Sequence, residues 1–362
     1  MDDIYIVGGG PAGLAGAIAF RQAGFAVTVL DCGRPPIDKA CGEGLMPAGV
    51  AILRQLGVLL PPHTGFAFKG IRLFDGNVMV AARFPEDNGL GLRRTLLHAA
   101  LVNRATQLGV HLCWNAKNVS LAQLPPARLI VAADGQNSLL RRQAGLHRIK
   151  SEHRRYGFRK RYRVTPWSDH VEVYWGPRSQ VYVTPVAADE VSVATLSRGP
   201  HLRVDQSLAD FPALRERLAG ASLVGPEKGA LSVSRRLHRV HQDGFALLGD
   251  ASGSVDAITG EGLSLAFQQA LALAAAFQSG KMADYELAHR RAGRMPHRMA
   301  SLLLALDSHA MLRRLALASM AKRPGIFAAF LNAHVGAAKP KSSDSQCRPH
   351  PSTGSAGLET YK

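Results

Sequence analysis

The feature that most constrains the fold of this chain is a glycine-rich turn near its start. An apolar run at residues 4–7 leads directly into Gly8, Gly10 and Gly13, and an Ala- and Leu-rich segment follows over residues 11–23. In this order of strand, turn and helix, the first glycine permits the tight turn and the second lets the backbone approach a pyrophosphate. The third glycine allows close helix–strand packing, and the helix N-terminus attracts negative charge. The pattern predicts a βαβ unit that binds a dinucleotide.

An acidic residue after the second expected strand narrows the choice of dinucleotide. Asp31 follows the β-branched run at residues 26–30, close to the spacing at which a carboxylate accepts a hydrogen bond from the adenosine ribose. Its negative charge disfavours a 2′-phosphate at the same place. We therefore expect this pocket to hold FAD or NAD, and not NADP.

The texture of the sequence changes along the chain. A helix and two short strands are expected between residues 93 and 133, whereas the segments 170–175, 180–186 and 190–195 carry the alternating or clustered β-branched and aromatic residues of an antiparallel sheet. From residue 245 the chain returns to strand, loop and helix. The dinucleotide-binding sheet is therefore predicted to be assembled from the start, the middle and the end of the chain.

Two further motifs carry acids at the ends of expected strands. Residues 130–141 read IVAADGQNSLLR, with Asp134 at the strand end, and residues 245–262 read FALLGDASGSVDAITGEG, with Asp250 in the equivalent place. A carboxylate there accepts hydrogen bonds from ribityl or ribose hydroxyls. The glycine-flanked helix start that follows presents free N–H groups, which stabilise negative charge on a reduced flavin.

The three motifs in this order resemble those of the FAD-dependent monooxygenases of the p-hydroxybenzoate hydroxylase type, over about residues 2–280. The segments DKACGEGLMPAG (38–49) and SVDAITGEGLSLA (254–266) resemble the geranylgeranyl reductase branch of that superfamily. The resemblance implies an α/β fold in which a Rossmann-like FAD-binding three-layer ββα domain is interleaved with an antiparallel-sheet (α+β) substrate domain and followed by a C-terminal helical region. The expected boundaries are 1–65, 90–150 and 240–282 for the FAD-binding domain, 66–89 and 151–239 for the substrate domain, 283–336 for the C-terminal helices and 337–362 for a disordered tail.

The resemblance also implies cofactor roles for matching positions. FAD is the implied cofactor, with NADPH or NADH as a transient electron donor that docks without a second glycine motif. Asp134 is implied as an organiser of the structure more than as a ligand. The implied FAD-binding residues are Gly8, Gly10, Ala12 and Gly13 at the pyrophosphate, Asp31 at the ribose, Arg94 at a helix start, Gly249 and Asp250 at the ribityl or pyrophosphate region, and Gly260, Glu261 and Gly262 at the isoalloxazine.

Three residues are weak candidates for catalysis. Cys41 is either a redox or proton-donating thiol or a small residue in a tight loop, and Glu43 is either a proton relay or a loop anion paired with Lys39. Tyr182, with Pro185, either lines the substrate pocket or belongs to plain sheet core. The sequence contains no HExxH string and no phosphate-binding GxxxxGK[ST] loop, and its cysteines show no CxxC spacing, so we expect neither hydrolysis, phosphoryl transfer nor a metal site.

The excess of basic residues indicates which kinds of partner the protein could bind. The net charge is +17, and ten Lys or Arg fall between residues 141 and 163, which indicates either a landing surface for nicotinamide phosphates, anionic lipid or an acidic carrier protein, or a solvated face. Nucleic-acid binding is disfavoured because no recognition motif accompanies the charge. Segment 311–336 combines apolar helix faces with basic residues and either lies on a membrane surface or packs in the core. The start of the chain lacks signal-peptide features, so we expect a cytoplasmic protein, with peripheral membrane association left open.

These observations predict an FAD-dependent oxidoreductase. The favoured reaction is that of an NAD(P)H-using monooxygenase, which consumes O2 and hydroxylates an apolar aromatic or polyketide-like substrate. The alternative is a reductase of prenyl or lipid double bonds, which segment 38–49 favours, and the third hypothesis is a flavin-binding electron-transfer module. A halogenase is disfavoured because the chain lacks a WxWxIP string.

Overall fold

The computed structural model describes residues 3–117 and 119–336. The strands are β1 (Ile4–Val7), β2 (Val27–Asp31), β3 (Gly44–Leu45), β4 (Phe66–Phe68), β5 (Gly70–Asp75), β6 (Val78–Arg83), β7 (Gly89–Gly91), β8 (His111–Trp114), β9 (Leu129–Ala132), β10 (Ile149–Arg163), β11 (Val171–Trp175), β12 (Ser179–Ala187), β13 (Glu190–Ser197), β14 (Ser222–Leu223), β15 (Lys228–Leu237), β16 (His241–Gln242) and β17 (Phe245–Leu247). The helices are α1 (Pro11–Gln22), α2 (Pro47–Gln55), α3 (Arg94–Gln107), α4 (Leu139–Gln143), α5 (Val204–Leu208), α6 (Pro212–Arg217), α7 (Gly262–Gln278), α8 (Met282–Ser308), α9 (Ala310–Lys322) and α10 (Pro324–Gly336).

A six-stranded sheet forms the first domain, in the order β16-β17-β9-β1-β2-β8. All its pairings are parallel except that of the edge strand β16. The central strand is fully buried: Ile6 pairs with Val29 on one side and Val131 on the other. Helix α1 packs on β1 and β2 and also contacts α3 and α7, and strands buried in this way are continuous apolar runs. The predicted interleaved α/β fold class is confirmed.

A second, eight-stranded sheet forms the substrate domain. Its path is β14-β10-β13-β12-β11-β5-β6, with β15 also paired to β10. The pairings are antiparallel, as expected, except that β11 runs parallel to β5. One face of this sheet packs on the short helices α5 and α6 through a cluster that includes Phe158, Val181 and Leu208. The other face is directed at the FAD-binding domain and the C-terminal helices.

A small sheet of β3, β7 and β4 joins the two domains. Residues 66–68 pair with β7 here and lie outside the eight-stranded sheet, although segment 66–89 as a whole was expected in the substrate domain. A Cβ at Gly91 would lie 1.7 Å from the carbonyl oxygen of Pro185, so the small sheet packs directly on β12. Only glycine permits this approach.

Helices α9 and α10 pack against β6, whereas α8 packs against α7 and against these two helices. Leu317, Phe327 and Leu331 contribute the buried side chains of this contact. No helix in the described part of the chain is long and apolar enough to cross a membrane. The expected disordered tail, residues 337–362, lies outside the described residues.

Candidate active site

The glycine turn is packed as the sequence pattern requires. Gly8 has a φ of +117°, and a Cβ there would lie 2.2 Å from the carbonyl oxygen of Ala133. A Cβ at Gly13 would lie 1.8 Å from the carbonyl oxygen of Gly8. A Cβ at Gly10 would meet nothing within 4 Å, so this glycine faces open space at the start of α1. The turn therefore leaves room for a ligand at Gly10, while Gly8 and Gly13 keep the helix closely packed on the strand.

Asp31 is tied to the glycine turn by backbone hydrogen bonds. Its Oδ2 accepts from the N–H of Gly9 at 2.6 Å, and its Oδ1 accepts from the N–H of Gly33 at 2.7 Å. Each carboxylate oxygen keeps a second lone pair for a ribose hydroxyl. The carboxylate is therefore oriented before any nucleotide binds.

Two residues at this turn were not found by sequence reasoning. His98 is buried on α3, and its Nε2 donates to the carbonyl oxygen of Gly9 at 2.8 Å. Burial lowers the pKa of His98, so the ring is neutral and holds the turn without adding charge. Trp114 pairs with Asp31 in the sheet, and its ring lies so close to Gly9 that a Cβ there would clash at 2.5 Å. Helix α3 brings His98 to the turn and the pairing of β8 with β2 brings Trp114, so both contacts depend on the tertiary structure.

Asp134 and Arg141 organise the second motif. Oδ2 of Asp134 accepts from the N–H of Leu139 at 2.9 Å and so stabilises the start of α4. Arg141 is fully buried and donates to the carbonyl oxygens of Ala251 and Gln136, both at 2.9 Å. Burial lowers the pKa of Arg141 to about 10, which leaves the guanidinium charged at neutral pH. Together they fix the second motif to the third.

The third motif places Asp250 at the base of the cofactor cleft. Gly249, with a φ of +60°, is held by its N–H donating to Oε1 of Gln269 at 3.0 Å, and a Cβ there would meet Ala12 at 2.5 Å. The Asp250 side chain is exposed, and Arg94 is the foremost of the cations that act on its carboxyl. The end of β17 and the start of α3 therefore converge on one cleft.

The start of α7 presents an open glycine surface. A Cβ at Gly260 or Gly262 would meet nothing within 4 Å. Glu261 between them is buried, and burial raises its pKa to about 8, so the side chain is mostly neutral at pH 7. The free N–H groups of α7 therefore face the cleft without a carboxylate charge to cancel their field.

The loop at 38–44 forms the opposite wall. A pocket at its end is lined by Cys41, Glu43, Leu45, Leu92, Arg94, Leu97 and Leu263. The Sγ of Cys41 accepts from the N–H of Glu43 at 3.4 Å. The Glu43 carboxylate is fully buried and forms an ion pair with Arg161. One interpretation of the sequence paired Glu43 with Lys39, and the structure shows Arg161 as its partner instead. The geometry gives Glu43 a structural role and leaves Cys41 at the cleft.

Tyr182 lies on β12 between the two walls, and its hydroxyl donates to the carbonyl oxygen of Ile258 at 3.5 Å. Burial raises its pKa well above the usual range, so the phenol stays protonated at every physiological pH. Pro185, further along the strand, packs against the small sheet and away from this position. Of the two, Tyr182 alone borders the loop beside the cofactor cleft.

The basic stretch between residues 141 and 163 is not one surface. Four of its ten Lys or Arg, namely Arg141, Arg155, Arg159 and Arg161, are buried and directed inward. The interpretation of the whole stretch as a landing surface, or as one solvated face, is wrong for these four.

In the described residues, no group of three or more His, Cys, Asp or Glu is placed to hold a metal ion.

The residues of the cleft fit FAD. Gly10, Gly260 and Gly262 leave open space along its length, and Asp31 and Asp250 offer carboxylates at its two ends. The Nε of Arg94 is buried and has no hydrogen-bond partner in the protein, which matches a role for this arginine toward the cofactor. FAD bound there would supply the redox chemistry of the site.

Comparisons with known proteins agree with this geometry. An FAD-binding domain model matches residues 1–123. The chain is 28% identical to a menaquinone reductase of Mycolicibacterium smegmatis over 358 residues, which covers 84% of this chain and 85% of the relative. It is 28% identical to digeranylgeranylglycerophospholipid reductase 1 of Methanopyrus kandleri, covering 73% and 77%, and 26% identical to a putative FAD-dependent monooxygenase of Bacillus subtilis, covering 80% and 87%.

Solved structures share the fold at lower identity. A flavin-dependent brominase superposes with a TM-score of 0.76 at 17% identity, covering 92% of this chain and 93% of its own. A 2-methyl-3-hydroxypyridine-5-carboxylic acid oxygenase superposes with a TM-score of 0.72 at 22% identity, covering 92% and 95%. One fold thus carries different reactions, and the reaction has to be argued from the site.

Proposed function

This chain belongs to the superfamily of FAD-dependent oxidoreductases and monooxygenases of the p-hydroxybenzoate hydroxylase type, and we propose that it is a reductase that saturates a carbon–carbon double bond of a prenyl lipid. NADPH or NADH is the proposed electron donor. The observation that carries this proposal is the apolar wall in front of the cofactor cleft. Relatives named as reductases of a menaquinone and of a prenylated phospholipid support it.

The apolar wall is formed by side chains of the pocket that Cys41 and Arg94 also line. Its members are Leu45, Leu92, Leu97 and Leu263. An apolar substrate that binds there exchanges water for hydrocarbon contacts, which favours binding by about 25 cal/mol per Å2.

The proton that is added to the double bond comes, in this proposal, from a side chain of the protein. Saturating an alkene needs a hydride at one carbon and a proton at the other, and bound FAD supplies the hydride chemistry. We assign the proton to Cys41, whose thiol borders the cleft and whose sulfur, once deprotonated, is stabilised by the N–H of Glu43. Tyr182 is a poorer donor because burial raises its pKa too far. Water then returns a proton to the thiolate.

Hydroxylation, the reaction favoured by the sequence alone, is the second candidate. The similarity to a putative monooxygenase over 80% of this chain supports it. In that case O2 is a co-substrate and the apolar wall holds an aromatic or polyketide-like molecule. An electron-transfer module is not proposed, because a cleft walled by apolar side chains suits a substrate better than a docking protein.

The two reactions are separated by their products. Purified FAD-bound protein is mixed with a polyprenyl quinone in detergent and with NADPH or NADH, with and without O2, and the lipid is examined by mass spectrometry. We expect a product that forms without O2 and that still carries two additional hydrogen atoms after any quinol has been reoxidised to the quinone. A product that gains an oxygen atom, and only in air, would overturn the proposal in favour of hydroxylation.

A cysteine pair tests the assignment of the proton. Cys41→Ala should retain FAD and should still reduce an artificial acceptor with NADPH, but should lose most lipid saturation. Cys113→Ala, at a free cysteine on the edge strand β8, is the matched control and should behave as wild type. Full saturation by Cys41→Ala would assign the proton to another group.

A lipid substrate also requires access to a membrane, and we propose that α9 lies on an anionic bilayer surface. Met311, Leu312 and Leu315 on its outer face are 78%, 53% and 64% exposed, whereas Leu317 is buried against the sheet. Exposed Lys322 and Arg323 end the same helix. Apolar side chains beside cations match the interface of an anionic membrane. No acidic carrier protein is proposed, because the 141–163 stretch is divided between surface and interior.

Vesicle co-sedimentation tests the membrane proposal. The FAD-bound protein should sediment with vesicles that contain anionic lipid and less with neutral ones. The double change Met311→Ser and Leu315→Ser should reduce binding at least several-fold. Leu59→Ser removes an 86% exposed leucine elsewhere and should have no effect. Equal binding by all three proteins would exclude α9 as the contact.

A further inference from the structure

Strand β10 carries a row of buried arginines on one face. Arg155, Arg159 and Arg161 are 3%, 1% and 7% exposed, and their odd spacing puts them on the side of the sheet that faces the FAD-binding domain. Phe158 and Tyr162 alternate with them and pack on the opposite face. Three cations on one buried face are costly unless each has a partner.

Two of the three guanidinium groups are bonded to side chains through two nitrogens each, and of these two groups Arg155 leaves its buried Nε without a hydrogen-bond partner. Arg161 donates to the carboxylate of Glu43 from both Nε and Nη2. Arg155 donates to Oδ1 of Asp256 at 3.4 Å and to Oε1 of Gln180 at 2.8 Å. These two arginines therefore brace the substrate sheet against the loops of the FAD-binding domain.

Arg159 differs from its neighbours. Its Nη2 donates to Oδ1 of Asp38 at 2.6 Å, but its Nε and Nη1 are buried and have no hydrogen-bond partner in the protein. A buried donor without an acceptor is unfavourable, and more so when the donor belongs to a charged group. A guanidinium held in place by one carboxylate and free at two nitrogens is prepared for an acceptor that the protein itself lacks.

The neighbours of Arg159 leave space and offer a second polar atom. Arg159 is paired with Ala194, and Ala194 with Tyr182, so the three side chains share one face. Ala194, between the arginine and the tyrosine, carries only a methyl group. Ser192, diagonal to Arg159 in the same sheet, is fully buried, and its Oγ also has no hydrogen-bond partner.

Arg159 and Tyr182, on either side of Ala194, connect to the two loops that form the cofactor cleft. Arg159 is bonded to Asp38 in the 38–44 loop, and Tyr182 is bonded to Ile258 in the loop before α7. A molecule resting on Ala194 therefore lies in front of the cofactor cleft. The unsatisfied donors point to where a substrate head group would be held during reaction.

The local charges decide what kind of acceptor fits. Asp38 lies 2.6 Å from Arg159 and 3.5 Å from Arg161, and Glu43 binds Arg161, so two cations face two anions. A phosphate or carboxylate would add uncompensated negative charge beside both acids in a buried place. A neutral acceptor such as a carbonyl oxygen adds none and still receives a charge-assisted hydrogen bond.

We propose that Arg159, with Ser192, binds a carbonyl oxygen of the substrate, and that the substrate head group is a quinone and not a phosphate ester. The inference rests on the proposed function and narrows it: the prenyl lipid enters along the apolar wall and its head group is recognised at Arg159. Arg159 is a specificity-determining residue that sets which lipid is held, whereas Cys41 serves the chemical step.

Binding to the oxidised protein tests this inference without turnover. Menadione, a naphthoquinone without a prenyl chain, is titrated into the FAD-bound protein and followed by the flavin absorption spectrum. Arg159→Met should weaken binding about 10- to 100-fold, as expected for one hydrogen bond to a charged group, and Ser192→Ala by about 3- to 10-fold. Arg163→Met, which removes a 56% exposed arginine from the same strand, is the control and should bind as wild type.

Competing ligands identify the head group. Geranylgeraniol, which has no carbonyl group, should bind equally to wild type and Arg159→Met, and geranylgeranyl diphosphate should bind no better than the alcohol. The inference is overturned if wild type does not bind menadione, if Arg159→Met binds it equally, or if the diphosphate is preferred through Arg159. If Arg159→Met does not retain FAD, Arg159→Lys replaces it in the test. Lysine keeps a positive charge beside Asp38 but lacks the Nε donor, so menadione binding is expected to weaken to the same extent.

The lipid assay separates this inference from the proposed function. Saturation of a polyprenyl quinone with the same KM in wild type and Arg159→Met would overturn the inference alone. Absence of any lipid saturation, together with menadione binding that depends on Arg159, would overturn the proposed reaction and leave the carbonyl site standing. A raised KM for the quinone with unchanged oxidation of NADPH by an artificial acceptor supports both.

Discussion

The guanidinium of Arg161 donates to both carboxylate oxygens of Glu43, at 2.9 Å from Nε to Oε2 and 3.1 Å from Nε to Oε1. The two residues come from different domains, and the Glu43 side chain is fully buried. The same carboxylate accepts from the N–H of Arg94 at 2.9 Å and stabilises the start of α3. One buried ion pair thus joins the substrate sheet, the 38–44 loop and a helix that borders the cofactor cleft.

Arg161→Met is expected to lower the free energy of unfolding by about 3–5 kcal/mol, because it leaves a buried carboxylate without its cation. Urea unfolding of the FAD-bound protein measures the change. Arg163→Met removes an exposed pair with Asp189 and should cost less than about 1 kcal/mol. Similar effects of the two substitutions would contradict the structural role of the Glu43–Arg161 pair.

Two glycines of the same turn should respond differently to alanine. Gly13→Ala puts a Cβ 1.8 Å from the carbonyl oxygen of Gly8, so we expect loss of folded protein. Gly10→Ala meets no protein atom within 4 Å and has an ordinary φ of −73°, so the fold should persist while FAD affinity falls at least 10-fold. Thermal unfolding without added FAD and flavin titration measure the two effects. Unchanged FAD affinity in Gly10→Ala would mean that the pyrophosphate does not lie at the start of α1.

Asp250→Ala should weaken FAD binding by about 2 kcal/mol, or roughly 30-fold, through the loss of a charge-assisted hydrogen bond at the base of the cleft. The apoprotein is titrated with FAD and the quenching of flavin fluorescence is recorded. Asp243→Ala, at an exposed acid in the turn before β17, serves as the control. A variant at Asp250 that purifies with full flavin content and wild-type affinity would remove this residue from the cofactor site.

Glu261 predicts a pH dependence of stability. Its pKa in the folded protein is raised by burial to about 8 from 4.5, so the unfolded chain releases the proton first as pH rises. Stability is therefore lost between about pH 4.5 and pH 8, and is fully present below that window. Glu261→Gln should be more stable than wild type by about 3 kcal/mol at pH 7 and nearly equal to it at pH 4.5. Denaturation midpoints across this pH range test it, and a constant difference between the two proteins would refute the raised pKa.

The FAD-binding half of the site follows from local sequence. Gly8 and Gly13 are recognisable because the positive φ of Gly8 and the close backbone contacts at both positions admit no other residue, and Gly10 because the backbone there is left open to a ligand. Asp31 and Asp250 are recognisable because each follows an apolar strand in a parallel sheet, where strand ends meet at one edge. Such positions are set by residues within a few steps along the chain, so their pattern is visible without the fold.

The substrate half was decided by tertiary structure. In the sequence, Arg155, Arg159 and Arg161 are part of a basic stretch that is typical of a surface, and nothing in that stretch distinguishes the inward residues from exposed ones such as Arg154. Their burial depends on which face of β10 meets the loops that carry Asp38 and Glu43, more than a hundred residues earlier. Charged residues occur on both faces of this strand, so its sequence does not reveal which face is buried. Burial of a charged face is possible only where the tertiary structure supplies residues of opposite charge.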